Sequence, residues 1–312
     1  MPAPRLSVIV PVHRQWDLVP ELLAALAAQT LDPAAFELIL VNNDAPAPPP
    51  LSLPAEIRVV DAPVPGAYAA RNEGAAAARG VWLVFTDADC RPEPGWLAAL
   101  AAATDAAGAA ALPLLAGPVR MLPPAAPSPW ATYDLVRGIP QAAYVARGYA
   151  ATANLAVPRA VFAALGGFDA RRRSGGDADL CRRAGRAGHP LALVEAAVVA
   201  HPCRADWALL ATKARRIKGG QIAAGPLPRR VAWTLRTLAP PLADSRAYLA
   251  AAGQVSGQVT EQVSDHPDLQ GSGAEHSRAR GRTSLRHRRR SPPPVVAGHR
   301  RSGGPPASSR AV

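Results

Sequence analysis

The sequence is short of cysteine and of long apolar runs, and each shortage narrows the class of protein. The 312 residues include three cysteines, Cys90, Cys181 and Cys203, without a Cys-x-x-Cys pair. This pattern excludes a disulfide framework and indicates no zinc site. We expect Cys90 to be a small buried residue. No apolar run reaches the ~18 residues that span a bilayer, because polar residues and a proline interrupt the Ala-rich stretch 96–115.

The N-terminal residues also lack the layout of a signal peptide, since they lead directly into a strand-like segment. We therefore expect a cytoplasmic protein without a transmembrane segment, which could contact the inner face of a membrane peripherally.

Positive charge is in excess, and the last part of the chain carries much of it. The net charge is +12, from 35 basic and 23 acidic residues. Over 254–312, ten arginines stand against four acidic residues, so about half of the excess lies there. From 253 onward the chain is also poor in aromatic residues, and such a segment buries too little apolar surface to offset its ordering entropy.

This composition divides the chain into three predicted parts. They are a folded domain over 1–225, a helical extension over 226–252 and a disordered, low-complexity basic tail over 253–312. An out-of-frame reading of a GC-rich gene would also produce a tail of this kind.

The folded domain begins with alternating strand and helix patterns. Apolar runs rich in β-branched residues predict strands, and apolar residues at helical spacing predict helices. The predicted strands are 6–12, 36–41, 57–60 and 81–87, and the predicted helices are 18–29, with Asp17 as its cap, and 69–79. This order is typical of βαβ units, and it predicts an α/β fold with ligands at the carboxyl ends of the strands.

The rest of the domain is less regular. Its predicted elements are a helix over 96–111, a Pro-rich loop to about 145, a short helix over 158–165, a helix that opens at 174–180, and a strand over 191–199 that ends in His201.

Two carboxylates, Asp87 and Asp89, end the apolar run 81–86. In an extended chain alternate side chains share a face, so both carboxylates point the same way. Such a pair can hold a hard divalent cation that keeps open positions for substrate phosphates. The alternative is a solvated turn that stops the strand, and spacing alone does not decide between the two.

The order of several motifs resembles that of the inverting family-two glycosyltransferases. The motifs are Ser7-Val-Ile-Val-Pro-Val12, Leu40-Val-Asn-Asn-Asp44, Gly66-Ala-Tyr-Ala-Ala-Arg-Asn-Glu-Gly74, Phe85-Thr-Asp-Ala-Asp89, Gly166-Gly-Phe-Asp169 and Gly175-Gly-Asp-Ala-Asp-Leu180. The resemblance covers residues 5–220 and implies the GT-A fold, a Rossmann-like fold of nucleotide-diphospho-sugar transferases. That fold has a mixed, mostly parallel sheet with flanking helices. The implied reaction moves a hexosyl or related sugar from a nucleotide-diphosphate donor to a hydroxyl of a glycan, lipid-linked or small-molecule acceptor.

The resemblance also implies roles for individual residues. A divalent metal, Mn²⁺ or Mg²⁺, stabilises the diphosphate leaving group, and a carboxylate takes the proton of the acceptor hydroxyl. The implied base is Asp177, the implied metal ligands are Asp87, Asp89 and His201, and the implied nucleotide contacts are Pro11, Val12, Asn42, Arg71 and Asp87.

Each implied role has a structural alternative. Asp177 could be a helix cap, and His201 a hydrogen-bonded surface group. Asp179 is expected to stabilise its helix or to face the acceptor. Asn154 could line the sugar cleft or form a turn. The basic residues within 213–218 could close over the diphosphate or form one solvated helix face.

Asn42 departs from the family pattern, in which an Asp accepts a hydrogen bond from the nucleobase. Its amide offers both a donor and an acceptor, so it could still pair with a base edge. Asp44 could take the same role through a shifted loop.

Two other functions remain open from the sequence. A nucleotidyltransferase would have a similar fold but a Gly-rich loop after the first strand, and 11–16 contains no glycine. A non-catalytic polyanion binder could act through the arginines of 286–290. Because the tail lacks interleaved aromatic residues, we expect no specific nucleic-acid partner.

Overall fold

The computed structural model describes residues 3–107, 112–124, 126, 128–223, 226–238 and 249, so the predicted tail over 253–312 lies outside the described residues. The strands are β1 (Leu6–Val12), β2 (Phe36–Asn42), β3 (Arg58–Asp61), β4 (Trp82–Phe85), β5 (Arg91–Pro92), β6 (Leu114–Ala116), β7 (Val119–Leu122), β8 (Leu155–Pro158), β9 (Leu191–Leu193) and β10 (Val199–Pro202). The α-helices are α1 (Val19–Ala27), α2 (Ala67–Ala77), α3 (Trp96–Ala106), α4 (Pro129–Arg137), α5 (Gln141–Val145), α6 (Arg159–Ala164), α7 (Gly176–Arg186), α8 (Trp207–Ala223) and α9 (Leu227–Leu238).

Seven strands form one sheet in the order β3-β2-β1-β4-β8-β6-β9. Strands β3, β2, β1 and β4 are parallel to one another. Within this sheet β8 alone is antiparallel to its neighbours β4 and β6, whereas β9 runs parallel to β6. The prediction of an α/β fold with a mixed, mostly parallel sheet and flanking helices is therefore confirmed.

The central strands of this sheet are buried on both faces, and their residues alternate between the two faces. In β1, Val8 and Val10 belong to one apolar cluster, while Ile9 belongs to the other. In β4, Val84 and Phe85 divide between the clusters in the same way. A strand buried on both faces has no polar side, which is why these strands read as continuous apolar runs.

Helix α2 packs closely on the sheet through Gly74. A Cβ atom on this glycine would lie 2.5 Å from Cγ2 of Ile9 and 2.8 Å from Cγ2 of Val41. The absent side chain thus sets how closely the helix approaches β1 and β2. This close approach fixes the position of the α2 side chains that lie near the carboxyl end of the sheet.

A second sheet has three short strands in the order β5-β10-β7. The single strand predicted over 191–199 is wrong, because these residues divide between β9 in the large sheet and β10 in the small one. Strand β10 is antiparallel to β5, with Ala200 opposite Arg91. One residue further, this register brings His201 beside the turn that carries Asp89.

Other predicted elements differ in detail. The helix predicted over 18–29 begins at Val19 without a side-chain cap, because Asp17 lies in the 3₁₀ turn Trp16–Leu18. The predicted loop to about 145 contains β6, β7, α4 and α5. Strands β6 and β7 and helix α5 are too short to give a periodic apolar pattern, and the prolines before α4 favour a loop there. Residues 108–111 of the third predicted helix and most of the extension beyond α9 lie outside the described residues.

Among the helices that the structure describes, none has the length and hydropathy needed to cross a bilayer.

The close approach of α2 to the sheet predicts opposite effects for the same substitution in two helices. Gly74→Ala should lower the free energy of unfolding by about 1–3 kcal/mol, because the new methyl group overlaps Ile9 and Val41. Gly185→Ala in α7 meets no atom within 4 Å, and it should raise stability by about 0.5–1 kcal/mol through helix propensity. Urea unfolding of both variants tests this, and stabilisation by Gly74→Ala would contradict the close packing.

Candidate functional site

The acidic pair lies in a turn at the carboxyl end of β4. The turn is closed by a hydrogen bond of 3.0 Å from the Cys90 amide to the Asp87 carbonyl. Thr86, fully buried, donates from Oγ1 to the Ala153 carbonyl at 2.9 Å and holds the strand end in place. The side chains of Asp87 and Asp89 stay 35% and 15% exposed. The turn therefore places two partly exposed carboxylates at the carboxyl end of a buried strand.

Arg71 on α2 compensates the charge of Asp87. Its Nη2 binds Oδ1 of Asp87, and its side chain is only 5% exposed. The guanidinium also lies 5.8 Å from the ring centroid of Tyr68, one helical turn earlier. Its Nε–H is buried without a hydrogen-bond partner among the described residues. The predicted nucleotide contact Arg71 is thus placed beside the acidic pair, with one donor to spare.

His201 and Arg204 face Asp89 from the other side. Nε2 of His201 lies 3.4 Å from Oδ2 of Asp89, and Nη2 of Arg204 lies 3.8 Å from the same oxygen. Nδ1 of His201 is 2.8 Å from the Pro202 carbonyl. Because a carbonyl oxygen only accepts, Nδ1 carries a proton and donates it. When the imidazole is neutral, Nε2 therefore carries the lone pair, on the side of the ring that faces Asp89.

A buried carboxylate, Asp134 on α4, anchors this second side. It is 1% exposed and accepts from the Arg204 amide at 3.0 Å, from Arg204 Nη1 at 3.3 Å and from Lys213 Nζ at 2.9 Å. Burial acts to raise the pKa of Asp134, but the Arg204 amide and the Lys213 ammonium outweigh it and hold the pKa below the ordinary value. Asp134 thereby ties α8 and the segment after β10 to the site.

Asp177 lies in the first turn of α7 and meets Tyr68. The Tyr68 hydroxyl is 3.3 Å from Oδ1 of Asp177, and the Ala178 amide donates to the same oxygen at 2.8 Å. Gly176 allows this contact, because a Cβ there would lie 2.8 Å from the Tyr68 ring. The helix cap is Gly175, in the left-handed conformation with φ +74°.

Burial shifts the proton affinities of both partners upward. It raises the pKa of Asp177, although the Ala178 amide, the Arg71 charge and the Tyr68 hydroxyl each act to lower it. Burial, helped by the charge of Asp177, raises the pKa of Tyr68 to about 12. The phenol therefore stays protonated near neutral pH and donates to the carboxylate.

Neighbouring polar groups fix the start of α7. Asp179 forms ion pairs with Arg172 at 3.0 Å and with Arg183 at 2.9 Å. The expectation that Asp179 stabilises its helix is confirmed. Asn72 on α2 accepts from the Phe168 amide at 2.9 Å and donates to the Phe168 carbonyl at 2.8 Å, so α2 clamps the segment that precedes α7.

The predicted base-pairing role of the Asn42 side chain is corrected by the structure. Asn42 is 1% exposed, and its Nδ2 donates to Ala47 and Asp61 at 2.8 Å each. Its Oδ1 accepts from the Asp44 amide at 3.1 Å. The amide shapes the loop after β2 and has no open edge for a nucleobase.

Other residues that were considered for nucleotide binding also make contacts within the protein or are buried. Asp44, the substitute for Asn42, binds the Arg14 amide at 2.7 Å, Trp16 Nε1 at 3.1 Å and His13 Nδ1 at 2.8 Å. The Val12 side chain is fully buried in the core, whereas Pro11 is half-buried. The whole Val12 residue is 0% exposed, so it can act on a ligand only by shaping the end of β1.

The cleft role weighed for Asn154 is wrong. Asn154 is fully buried, donates to the carbonyls of Pro118 at 3.0 Å and Ala197 at 2.7 Å, and accepts from Trp96 Nε1 at 2.9 Å. It joins the two sheets and makes no contact with open space.

The residues around the acidic turn fit a hard divalent cation. Ligand atoms of Asp87, Asp89 and Cys90 lie within 4.8 Å of one another. Two carboxylates and an imidazole lone pair that faces one of them are donors that Mg²⁺ and Mn²⁺ accept. Cys90 is not a suitable ligand, because burial and the charges of both aspartates raise the pKa of its thiol. The expectation that Cys90 is a buried structural residue is confirmed.

Three residues of this site were not predicted from the sequence. Tyr68 lies within the motif 66–74, three residues before Arg71, and helical spacing could have found it. Arg204 follows His201 by three residues along an extended segment, which gave a weaker signal. No signal in the sequence pointed to Asp134, because it lies 70 residues from Arg204 in the chain.

Large parts of this chain are similar in sequence to known proteins. The sequence profile described as Glycosyl transferase family 2 matches residues 7–117, which include Asp87 and Asp89. Glycosyltransferase AglE of Haloferax volcanii is 30% identical over 239 residues, 72% of this chain and 76% of that protein.

Solved structures of S. aureus TarS are also similar. The crystal structure of TarS 1–349 has a TM-score of 0.47 and 15% identity, covering 64% of this chain and 60% of that chain, so this chain spans under two thirds of that one. The complex of TarS 1–349 with UDP-GlcNAc has a TM-score of 0.49 and 15% identity, with coverages of 73% and 69%.

The anchoring carboxylate gives a prediction for stability and its dependence on pH. Asp134→Asn should lower the free energy of unfolding at pH 7 by about 1–3 kcal/mol, since Arg204 and Lys213 lose a buried charged acceptor. A carboxyl with a lowered pKa stabilises the fold above its ordinary value of ~3.9, and this contribution is lost as the pH falls through the lowered folded value.

Urea unfolding over a range of pH tests this prediction. The difference between the wild type and Asp134→Asn should shrink only in strong acid. Asp105→Asn is the control, because its ion-paired side chain is 72% exposed and should contribute less than about 1 kcal/mol. Equal stability of Asp134→Asn and the wild type at pH 7 would contradict the anchoring role.

Proposed function

Because the chain belongs to glycosyltransferase family 2 and is a sugar-transferring enzyme, we propose that it moves a sugar from a nucleotide-diphosphate donor to a hydroxyl acceptor with inversion at the sugar carbon. One observation carries the proposal. The acidic turn after β4 is linked by contact through Arg71 and Tyr68 to a third carboxylate, that of Asp177. This gives one group of residues suited to the leaving diphosphate and another suited to the acceptor proton.

On the donor side, negative charge develops on the diphosphate as its bond to the sugar breaks. We assign Asp87, Asp89 and His201 as ligands of Mn²⁺ or Mg²⁺, which when bound neutralises that charge. Arg71 holds Asp87 and places a buried guanidinium charge beside the turn. Arg204 adds a second guanidinium beside Asp89. The protein thus supplies cationic side chains around two carboxylates that would otherwise repel a diphosphate.

On the acceptor side, the hydroxyl must lose a proton as its oxygen attacks the sugar carbon. We assign this proton to Asp177. The bonds from Tyr68 and Ala178 both end on Oδ1, so Oδ2 is the oxygen that we assign to the acceptor. Burial of the carboxyl brings its pKa closer to neutrality, which makes Asp177 a stronger base than an exposed aspartate.

For the nucleotide, we propose contacts with the ends of β1 and β2. Pro11 is the accessible residue there, whereas the buried Val12 and Asn42 contribute through the shape of the strand ends and of the loop. Of the basic residues of α8, Lys213 is already bound to Asp134. The other basic residues of this helix remain candidates for binding the diphosphate.

Membership of the family decides against the nucleotidyltransferase alternative. The polyanion-binding alternative rests on 286–290, which lies outside the described residues. The acceptor is a hydroxyl on a glycan, on a lipid-linked sugar or on a small molecule, and a panel of such acceptors with several nucleotide sugars identifies it.

The donor assignment predicts that metal-dependent binding is lost with Asp89. In the wild type, Mn²⁺ with a nucleoside diphosphate should raise the melting temperature, since a ligand at 100 times its Kd stabilises the folded state by about 2.7 kcal/mol. Asp89→Asn should abolish this shift and most of the transfer activity. Glu93→Gln is the control, because it removes a nearby carboxylate that is paired with Arg120. An unchanged shift in Asp89→Asn would contradict the assignment.

The acceptor assignment predicts effects on kcat and on its pH dependence. Asp177→Asn should lower kcat by about 10²–10⁴-fold with little change in donor binding. Because the folded pKa of Asp177 is raised, wild-type activity should fall on acidification at a pH above the ~3.9 of an ordinary aspartate. Tyr68→Phe removes a donor to the carboxylate, so it should raise the Asp177 pKa further and move this limb to higher pH.

The control for Tyr68→Phe is Tyr149→Phe, which keeps the ring that stacks on Tyr144 and should leave the profile in place. Full transfer by Asp177→Asn would rule out this carboxylate as the base.

A further inference from the structure

Helix α9 exposes an apolar stripe along its whole length. The stripe consists of Leu227, Val231, Leu235 and Leu238, which are 68%, 49%, 62% and 77% exposed. At about 100° per residue these four side chains fall within an arc of about 80°. No residue of α9 is buried. A helix of a globular protein ordinarily turns such a stripe towards the core, and α9 turns it outward.

The opposite side of α9 is the one that faces the protein. Trp233 lies about 160° from the centre of the stripe by helical geometry. The Nζ of Lys218 on α8 is 5.8 Å from the Trp233 ring centroid, and the Arg236 guanidinium lies at the same distance from that ring. The contact with α8 is therefore aromatic and cationic, and it leaves the leucines outside. The outward direction of the stripe follows from this packing.

The two helices carry charge of one sign. The stretch 207–238 contains seven basic residues and no acidic residue. The basic residues are Lys213, Arg215, Arg216, Lys218, Arg229, Arg230 and Arg236. Arg230 flanks the stripe at the side, where a long side chain can reach over an apolar surface to an anion. The first turn of α8 also exposes Trp207 and Leu209, at 60% and 57%.

We propose that α9 docks this enzyme peripherally on an anionic lipid bilayer. The stripe enters the boundary between headgroups and acyl chains, and Arg230 at its side reaches a lipid phosphate. Charge decides between the occupants of this surface. A second copy would bring together two helix pairs that each carry seven basic and no acidic residues, whereas an anionic membrane offers both an apolar layer and the opposite charge. The inference does not depend on the proposed transfer reaction.

Vesicle flotation of the full chain tests the proposal. The protein should float with vesicles of phosphatidylcholine mixed with phosphatidylglycerol, and far less with phosphatidylcholine alone. Salt should release it, because the Debye length falls from about 10 Å at 0.1 M to about 3 Å at 1 M. Binding to both kinds of vesicle alike would overturn the electrostatic part of the proposal.

Matched variants locate the contact on α9. Val231→Ser with Leu235→Ser should weaken binding at least about tenfold, since two apolar side chains no longer enter the bilayer. Both positions are exposed, so circular dichroism should be unchanged. Val81→Ser, at a valine that is 60% exposed elsewhere on the domain, is the control and should bind as the wild type does.

The tail arginines are present in all of these variants, so undiminished flotation of the double variant would overturn the role of α9. Elution of the wild type as a dimer that the double variant converts to a monomer, without flotation of either, would assign the stripe to a second copy instead. Hydrolysis of a nucleotide sugar without vesicles should be equal in the wild type and the double variant, which separates this test from that of the catalytic assignment.

Discussion

The need to balance two carboxylate charges at the end of a buried strand organises this structure. Asp87 and Asp89 follow β4 directly, where an unpaired charge would be costly. The Arg71 guanidinium from α2 compensates the charge of Asp87, the Arg204 guanidinium faces Asp89, and His201 from β10 lies beside Asp89. Each of these residues brings an element of the fold to the carboxyl end of the sheet.

This constraint extends outward by further pairing. Arg204 is itself held by the buried Asp134, which also binds Lys213. These contacts attach helices α4 and α8 to the acidic turn. The small sheet has the same effect, since its register sets His201 beside Asp89. Parts of the chain that are distant in sequence are thereby fixed around one group of charges.

Helix α2 connects the acidic turn to the start of α7. Its residues Tyr68 and Arg71 share one face, so that Arg71 meets Asp87 while Tyr68 meets Asp177. Two glycines make this geometry accessible, because Gly74 lets the helix approach the sheet and Gly176 lets the Tyr68 ring approach α7. In the proposed reaction, the same helix would serve the leaving group and the base, and a displacement of α2 would disturb both.

The sequence determined what depends on local pattern. Continuous apolar runs identified the parallel strands, and the spacing of Asp87 and Asp89 placed two carboxylates on one side of a strand end. The tertiary structure decided what depends on partners far along the chain. It turned the amides of Asn42 and Asn154 inward, divided the last predicted strand between two sheets and joined Tyr68 to Asp177, 109 residues away. It also decided that the leucines of α9 face outward, because periodicity defines an apolar face but only packing determines its direction.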